Sequence, residues 1–159
     1  MSNSLKVWIL ASRPKTLPAS IAPVLIGTAM AYASGKGHLL AALAALFGGV
    51  MIQIGTNLSN DYFDYVKGTD THARLGPTRV TQAGLVTPLA MKRAMWIVFS
   101  LATLAGVYLV WRGGWPIVII GATSILFAII YTGGPFPIGY LGLGDFFVVI
   151  FFGLVPVGG

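Results

Sequence analysis

Residues 37–60 read Gly37-His-Leu-Leu-Ala-Ala-Leu-Ala-Ala-Leu-Phe-Gly-Gly-Val-Met-Ile-Gln-Ile-Gly-Thr-Asn-Leu-Ser-Asn60, without one Asp, Glu, Lys or Arg. A membrane-crossing helix needs about 20 mostly apolar residues and tolerates ionised side chains poorly at its centre, so this stretch predicts a span. Four more charge-free stretches, 16–35, 94–111, 113–144 and 146–159, extend the pattern over most of the chain. They predict an all-α polytopic transmembrane helix bundle of about five spans, near 16–34, 39–60, 94–111, 115–132 and 143–159, joined by tight turns at Gly35-Lys-Gly37 and Arg112-Gly-Gly114 and by a Gly/Pro loop over 133–142. Composition agrees: of 159 residues 56% are hydrophobic and 9% charged, against roughly 25% charged in ordinary soluble domains. Mean hydropathy is +0.84. With no Cys, thiol catalysis, disulfides and Cys-ligated metals are excluded. A first span this long, carrying Pro18 and Pro23, does not fit a signal peptide.

The basic residues orient the bundle. Lys6, Arg13 and Lys15 precede the first span and Lys67, Arg74, Arg79, Lys92 and Arg93 lie between the second and third, whereas only Lys36 and Arg112 fall on the other side. The positive-inside bias places the N-terminus and the 61–93 loop in the cytoplasm, with the chain in the cell's inner or plasma membrane. The net charge of +6 is spread over short loops, which suits anionic lipid headgroups or a phosphorylated ligand better than nucleic acid. The last span stops at Leu154-Val-Pro-Val-Gly-Gly159 without an anchoring charge or aromatic residue, so the expectation is the N-terminal portion of a longer chain.

The acids are concentrated. There is no Glu, and three of the four Asp, Asp61, Asp64 and Asp70, fall within ten residues while Asp145 stands apart. Steps of four and three put Asn57, Asp61 and Asp64 on one helical face, with Asn60 and Lys67 alongside, until Gly68 ends the helix. Carboxylates at i and i+3 suit a hard divalent cation, and Mg²⁺ characteristically takes one or two of them and completes its shell with water and phosphate oxygens. A Mg²⁺-bound diphosphate is the ligand this implies, with Lys67, Arg74 and Arg79 supplying complementary charge. Arg13 and Lys15 lie at the same face on the Pro-restrained entry Ser12-Arg-Pro-Lys-Thr-Leu-Pro18. Plainer readings stand beside these. The Asp pair is also compatible with a solvated pairing to Lys67; Arg13, Lys15, Lys92 and Arg93 also serve as topology determinants; Asp145 reads first as a helix cap and His72 as a bystander. Tyr62, Tyr65 and Tyr140 suit the membrane interface.

Asn60-Asp-x-x-Asp64 at the cytoplasmic end of a second span resembles the first aspartate-rich motif of the UbiA superfamily of intramembrane prenyltransferases. Ser12-Arg-Pro-Lys-Thr-Leu-Pro18, the run from Asn57 to Asp70, Arg74-x-Gly-Pro-x-Arg79, Gln82-x-Gly-Leu-Val86 and Tyr140-x-Gly-Leu-Gly-Asp145 are similar to its 1,4-dihydroxy-2-naphthoate branch, of the MenA type. The resemblance implies a nine-helix fold, of which this chain holds about five spans and lacks the second aspartate-rich motif. It implies transfer of a polyprenyl group from its diphosphate to 1,4-dihydroxy-2-naphthoate with decarboxylation, giving demethylmenaquinone. The metal role falls on Asp61, Asp64 and Asp70, catalysis on Asp61, Asp64, Lys67 and Arg79, and diphosphate binding on Asn57, Asn60, Arg74, Arg13 and Lys15. A further Asp common in the superfamily is replaced here by Gly68, the acid arriving at Asp70. The alternatives are another aromatic acceptor such as 4-hydroxybenzoate and, in a different class, a cation transporter or channel subunit. Against the latter, the acids sit at the membrane edge rather than the midplane. A CDP-alcohol phosphotransferase lacks its Asp-Gly-x-x-Ala-Arg opening here. Homo-oligomerisation stays open.

Overall fold

The computed structural model describes residues 3–69 and 78–133. Five helices follow in order: α1 (Asn3–Ser12), α2 (Pro18–Ala33), α3 (Leu39–Lys67), α4 (Pro88–Gly113) and α5 (Trp115–Ile130), with a 3₁₀ turn at Pro14–Thr16 between the first two. No strand occurs among the described residues, so the architecture there is all-α.

Local chemistry sets the breaks. Arg13 sits in the left-handed region at φ 50°, and Pro14 next to it disfavours right-handed helix at the preceding residue. The stretch Ser4–Thr16, which contains this break, meets Pro18–Ala33 at a bend of 54°, with Pro18 at the first position of α2, where its missing N–H leaves no bond unmade. His38 starts α3, its Nδ1 accepting the Ala41 N–H at 3.2 Å, and Gly68 at φ 65° closes it, a conformation glycine adopts without steric cost. Thr87 caps α4 by accepting the Ala90 N–H at 3.3 Å, with Pro88 at the first helical position, where no N–H is needed.

α3 is the axis of the bundle. It packs on every other helix and most extensively on α4, and its glycines permit the approach: a Cβ at Gly55 would lie 2.5 Å from the Phe99 ring, whereas one at Gly48 would meet Ala105 at 3.7 Å. With no water in a bilayer core to drive helices together, small residues that bring backbones close carry the packing. The buried apolar cluster gathers at the α3 C-terminal end and joins Ala11, Leu58, Met91, Met95, Phe99 and Ala128 to Val80 and Val86 of the α3–α4 connection. Along the middle of the bundle, large side chains such as Ile26, Leu43, Phe47, Ile97, Leu104 and Val107 stay exposed, as contact with lipid requires.

α3 and α4 are each long and apolar enough to cross a membrane, and the α1–α2 pair adds a third candidate as one bent span. α5 is apolar but only 16 residues long, and the expected span at 143–159 lies outside the described residues. Two further differences from the sequence expectation are physical. Charge-free runs measure contact with lipid, not helix length, so α3 continues two turns past Asn60 to Lys67 and α4 begins at Pro88. The connection expected at 61–93 is thus shorter, and α1 is a helix that the same criterion passed over because Lys6 interrupts it.

Candidate functional site

The C-terminal turns of α3, the N-terminus of α4, the α1–α2 corner and the end of α5 converge at one end of the bundle. Asp61 and Asp64, one helical turn apart on α3, are 1% and 3% exposed. A buried carboxylate is costly unless its oxygens are satisfied, and both are satisfied by the returning segment 79–81. Asp61 Oδ2 accepts the Val80 N–H at 3.0 Å and Oδ1 the Thr81 N–H at 3.1 Å. Asp64 forms a buried ion pair with Arg79 through Nη2. The chain therefore crosses back over the aspartate face as a short strap, with the Val80 side chain fully buried in the apolar cluster.

The amides hold neighbouring parts together. Asn57 Nδ2 donates to Ser12 O and to Thr16 Oγ1, both at 2.9 Å, and Gln53 Nε2 reaches the same hydroxyl at 3.3 Å. These bonds fasten the Arg13 corner to α3. On the other side Asn60 Oδ1 accepts the Thr132 hydroxyl at 2.8 Å, and Lys67 Nζ donates to Thr132 O at 2.6 Å, tying the end of α5 to α3. Ser59 Oγ and Thr81 Oγ1 are buried with no hydrogen-bond partner among the described residues. Buried hydroxyls are seldom left so, and the cluster retains capacity for a polar ligand.

Beside it lies a cavity of roughly 1070 Å³ between α2, α3, α4 and α5. Its walls are mostly Ala, Gly, Ile and Val; Gln53, Asn57 and Asn60 edge it toward the aspartates, and Lys36, His38 and Arg112 at the opposite end. The amides thus separate an apolar groove from the buried charges, since Asp61, Asp64 and Arg79 are not among the groove's lining residues.

The sequence candidates distribute as follows. Asn57, Asn60, Asp61, Asp64, Lys67 and Arg79 come together in one cluster. Arg13 is half-buried at the corner that Asn57 and Gln53 hold, whereas Lys15 is exposed on the 3₁₀ turn. Asp70, Arg74, His72, Tyr140 and Asp145 lie outside the described residues. Lys92 stands 6.0 Å from the centroid of the Tyr62 ring, on the surface of α4. Sequence reasoning missed Gln53, Thr132 and the Val80 and Thr81 amides. Gln53 had a signal, a lone amide inside an apolar run; the others had none.

Oxygen donors suit a hard cation. Among the described residues no three of His, Cys, Asp and Glu gather into a metal-binding group, and Mg²⁺ needs no such cage, being bound through one or two carboxylates plus phosphate oxygens. The donor set fits Mg²⁺ with a diphosphate.

Comparison with known proteins places the chain in a family. The 1,4-dihydroxy-2-naphthoate octaprenyltransferase of Escherichia coli (strain K12) is 43% identical over 97% of this chain and 52% of its own length. The protein of that name from Bacillus subtilis (strain 168) is 38% identical over 95% of the chain and 48% of its length. A 2-carboxy-1,4-naphthoquinone phytyltransferase from Synechocystis is 31% identical over 96% and 49%. The chain spans about half the length of the curated relatives it matches. No solved structure matches. The model of the UbiA prenyltransferase family matches residues 20–159. Because that match takes in α3, α4, α5 and the whole polar cluster from Asn57 to Arg79, the chain belongs to the UbiA prenyltransferase family.

Proposed function

We propose that this chain forms the diphosphate-binding part of a Mg²⁺-dependent intramembrane prenyltransferase that moves a polyprenyl group from its allylic diphosphate to 1,4-dihydroxy-2-naphthoate. The ring carboxylate leaves as CO₂ and demethylmenaquinone is the product. The observation that carries this reading is the buried Asp61–Asp64–Arg79 cluster beside an apolar groove edged by Gln53, Asn57 and Asn60. Relatives named for a naphthoate acceptor support that acceptor over 4-hydroxybenzoate. Octaprenyl and phytyl names among them leave prenyl length open.

Asp64, with Asp61 and Asp70 as the other candidate carboxylates, would hold the cation. When bound, Mg²⁺ withdraws negative charge from the leaving diphosphate. Arg79 stabilises that same charge as it develops on the leaving oxygens, an effect strongest in a preorganised site shielded from water. Lys67 adds a second positive group, Arg13 and Lys15 extend the basic rim from the α1–α2 corner, and Arg74 is assigned to the diphosphate from the sequence alone. The apolar groove takes the prenyl chain and keeps water from the allylic carbon. The amides at its edge mark the boundary where the chain's polar head begins. The N-terminus and the α3–α4 connection face the cytoplasm in this reading, by the distribution of Lys and Arg.

The test is binding of a non-reactive allylic diphosphate analogue to the protein in nanodiscs. Saturable binding that requires Mg²⁺ and is lost in Asp64→Asn is expected. Binding that is equal without Mg²⁺, or equal in Asp64→Asn, would overturn the assignment. An acceptor panel with 1,4-dihydroxy-2-naphthoate and 4-hydroxybenzoate then separates the two aromatic substrates.

A further inference from the structure

Asp61 and Asp64 are the same residue type one turn apart, yet their surroundings differ. Asp64 pairs with a side-chain cation, the buried guanidinium of Arg79. Asp61 faces two fixed backbone dipoles, one on each oxygen, and at 1% exposure it is nearly sealed. From this difference we infer that Asp61 is a positioning residue: it anchors the strap 79–81 so that Arg79 meets Asp64 and the diphosphate, and it does not ligate the metal. The inference rests on the proposed diphosphate site and divides the labour within it.

The geometry supports the division in three ways. Each Asp61 oxygen already accepts one backbone N–H, and a cation on the remaining lone pairs would sit beside two amide dipoles that the backbone cannot turn away, whereas the Arg79 side chain can turn from Asp64 by rotation about its own bonds. Val80 and Thr81 adjoin Arg79 in sequence, and holding two consecutive amides on one carboxylate fixes the rotation as well as the position of the strap. The Val80 side chain, fully buried in the apolar cluster that includes Leu58 of α3, resists any shift of the strap away from α3. Arg79 is therefore delivered to Asp64 by a backbone pinned one residue downstream. Loss of the pin frees the guanidinium and leaves two buried amides without an acceptor, a state that proteins avoid.

Hydrogen exchange of the Val80 and Thr81 amides in the nanodisc-embedded chain tests the anchor without substrate. Asp61→Asn should accelerate exchange across 79–81, and Asp64→Asn should leave the Val80 and Thr81 amides protected. At saturating inorganic diphosphate, the Mn²⁺ bound per chain should persist in Asp61→Asn and fall in Asp64→Asn. Affinity for the allylic diphosphate analogue should drop about tenfold in Asp61→Asn, the scale of one charge-assisted hydrogen bond, while affinity for the corresponding prenyl alcohol stays unchanged. Thr81 replaced by its α-hydroxy acid deletes one anchoring N–H and leaves Asp61 in place; it should reproduce the loss of diphosphate affinity. Unchanged exchange together with lost Mn²⁺ in Asp61→Asn would make Asp61 a ligand and overturn the inference, as would a Thr81 ester variant with undiminished affinity. Should the native chain bind no analogue, the proposed function fails, and the exchange data still judge the anchor.

Discussion

Replacing Arg79 by Met keeps the length and the apolar stem of the side chain and removes its charge, leaving Asp64 buried at 3% exposure without the guanidinium. Breaking a buried ion pair by removing one partner costs about 3–5 kcal/mol, an upper limit here because Asp64 keeps further contacts of its own. Marginal stability makes that a large fraction of the whole. Asp64→Asn in the same chain removes the second charge, so the double variant should recover most of the loss, since a neutral pair of similar volume is often no worse than the ion pair it replaces. The metal adds a second axis. If Mg²⁺ binds at Asp64 it supplies charge in place of Arg79, so millimolar Mg²⁺ with inorganic diphosphate should raise the melting temperature of Arg79→Met more than that of the native chain, by the mass-action stabilisation any native-state ligand gives. Thermal unfolding in detergent micelles, with and without Mg²⁺ and diphosphate, reads all three proteins. Equal melting of Arg79→Met and the native chain, or a double variant no more stable than the single one, would refute the buried pair as a determinant of stability.

Asp64→Asn should abolish Mg²⁺-dependent binding of the diphosphate analogue while membrane insertion, read by fractionation, is unchanged. Gly55→Ala would press a Cβ to 2.5 Å from Phe99 and should destabilise by about 1–3 kcal/mol, as overpacking does; Gly106→Ala, where nothing lies within 4 Å, should be neutral or slightly stabilising in the same melting assay. Asn57→Leu deletes the bonds to Ser12 and Thr16 and should speed amide exchange in the Arg13–Thr16 corner while leaving exchange in the middle of α4 unaltered.

The polar site was legible because of scarcity. With four acids in 159 residues, three clustered Asp single out this stretch, and helical spacing alone puts Asn57, Asp61 and Asp64 on one face. What each carboxylate touches was not legible, since Val80 and Thr81 reach Asp61 only through the return of a chain segment, and nothing local in Val-Thr announces a backbone donor. Thr132 escaped for the same reason: its partners Asn60 and Lys67 lie more than sixty residues away in sequence. Helix ends beyond the apolar run, such as the last two turns of α3, escaped a different criterion, because polar residues continue a helix as readily as apolar ones until a residue like Gly68 stops it.

Thr132 takes a bond from Lys67 and gives one to Asn60, so the tail of α5 hangs on α3 by two fastenings that share a single residue. Sliding α5 along α3 by one helical turn, about 5.4 Å, would undo both together, with no intermediate position that keeps one. The two helices are thus indexed to each other like a pawl in a notched wheel. Because the Lys67 ammonium carries three N–H donors and gives one to the Thr132 carbonyl, the same side chain that seats α5 keeps donors for a second acceptor at this end of the bundle.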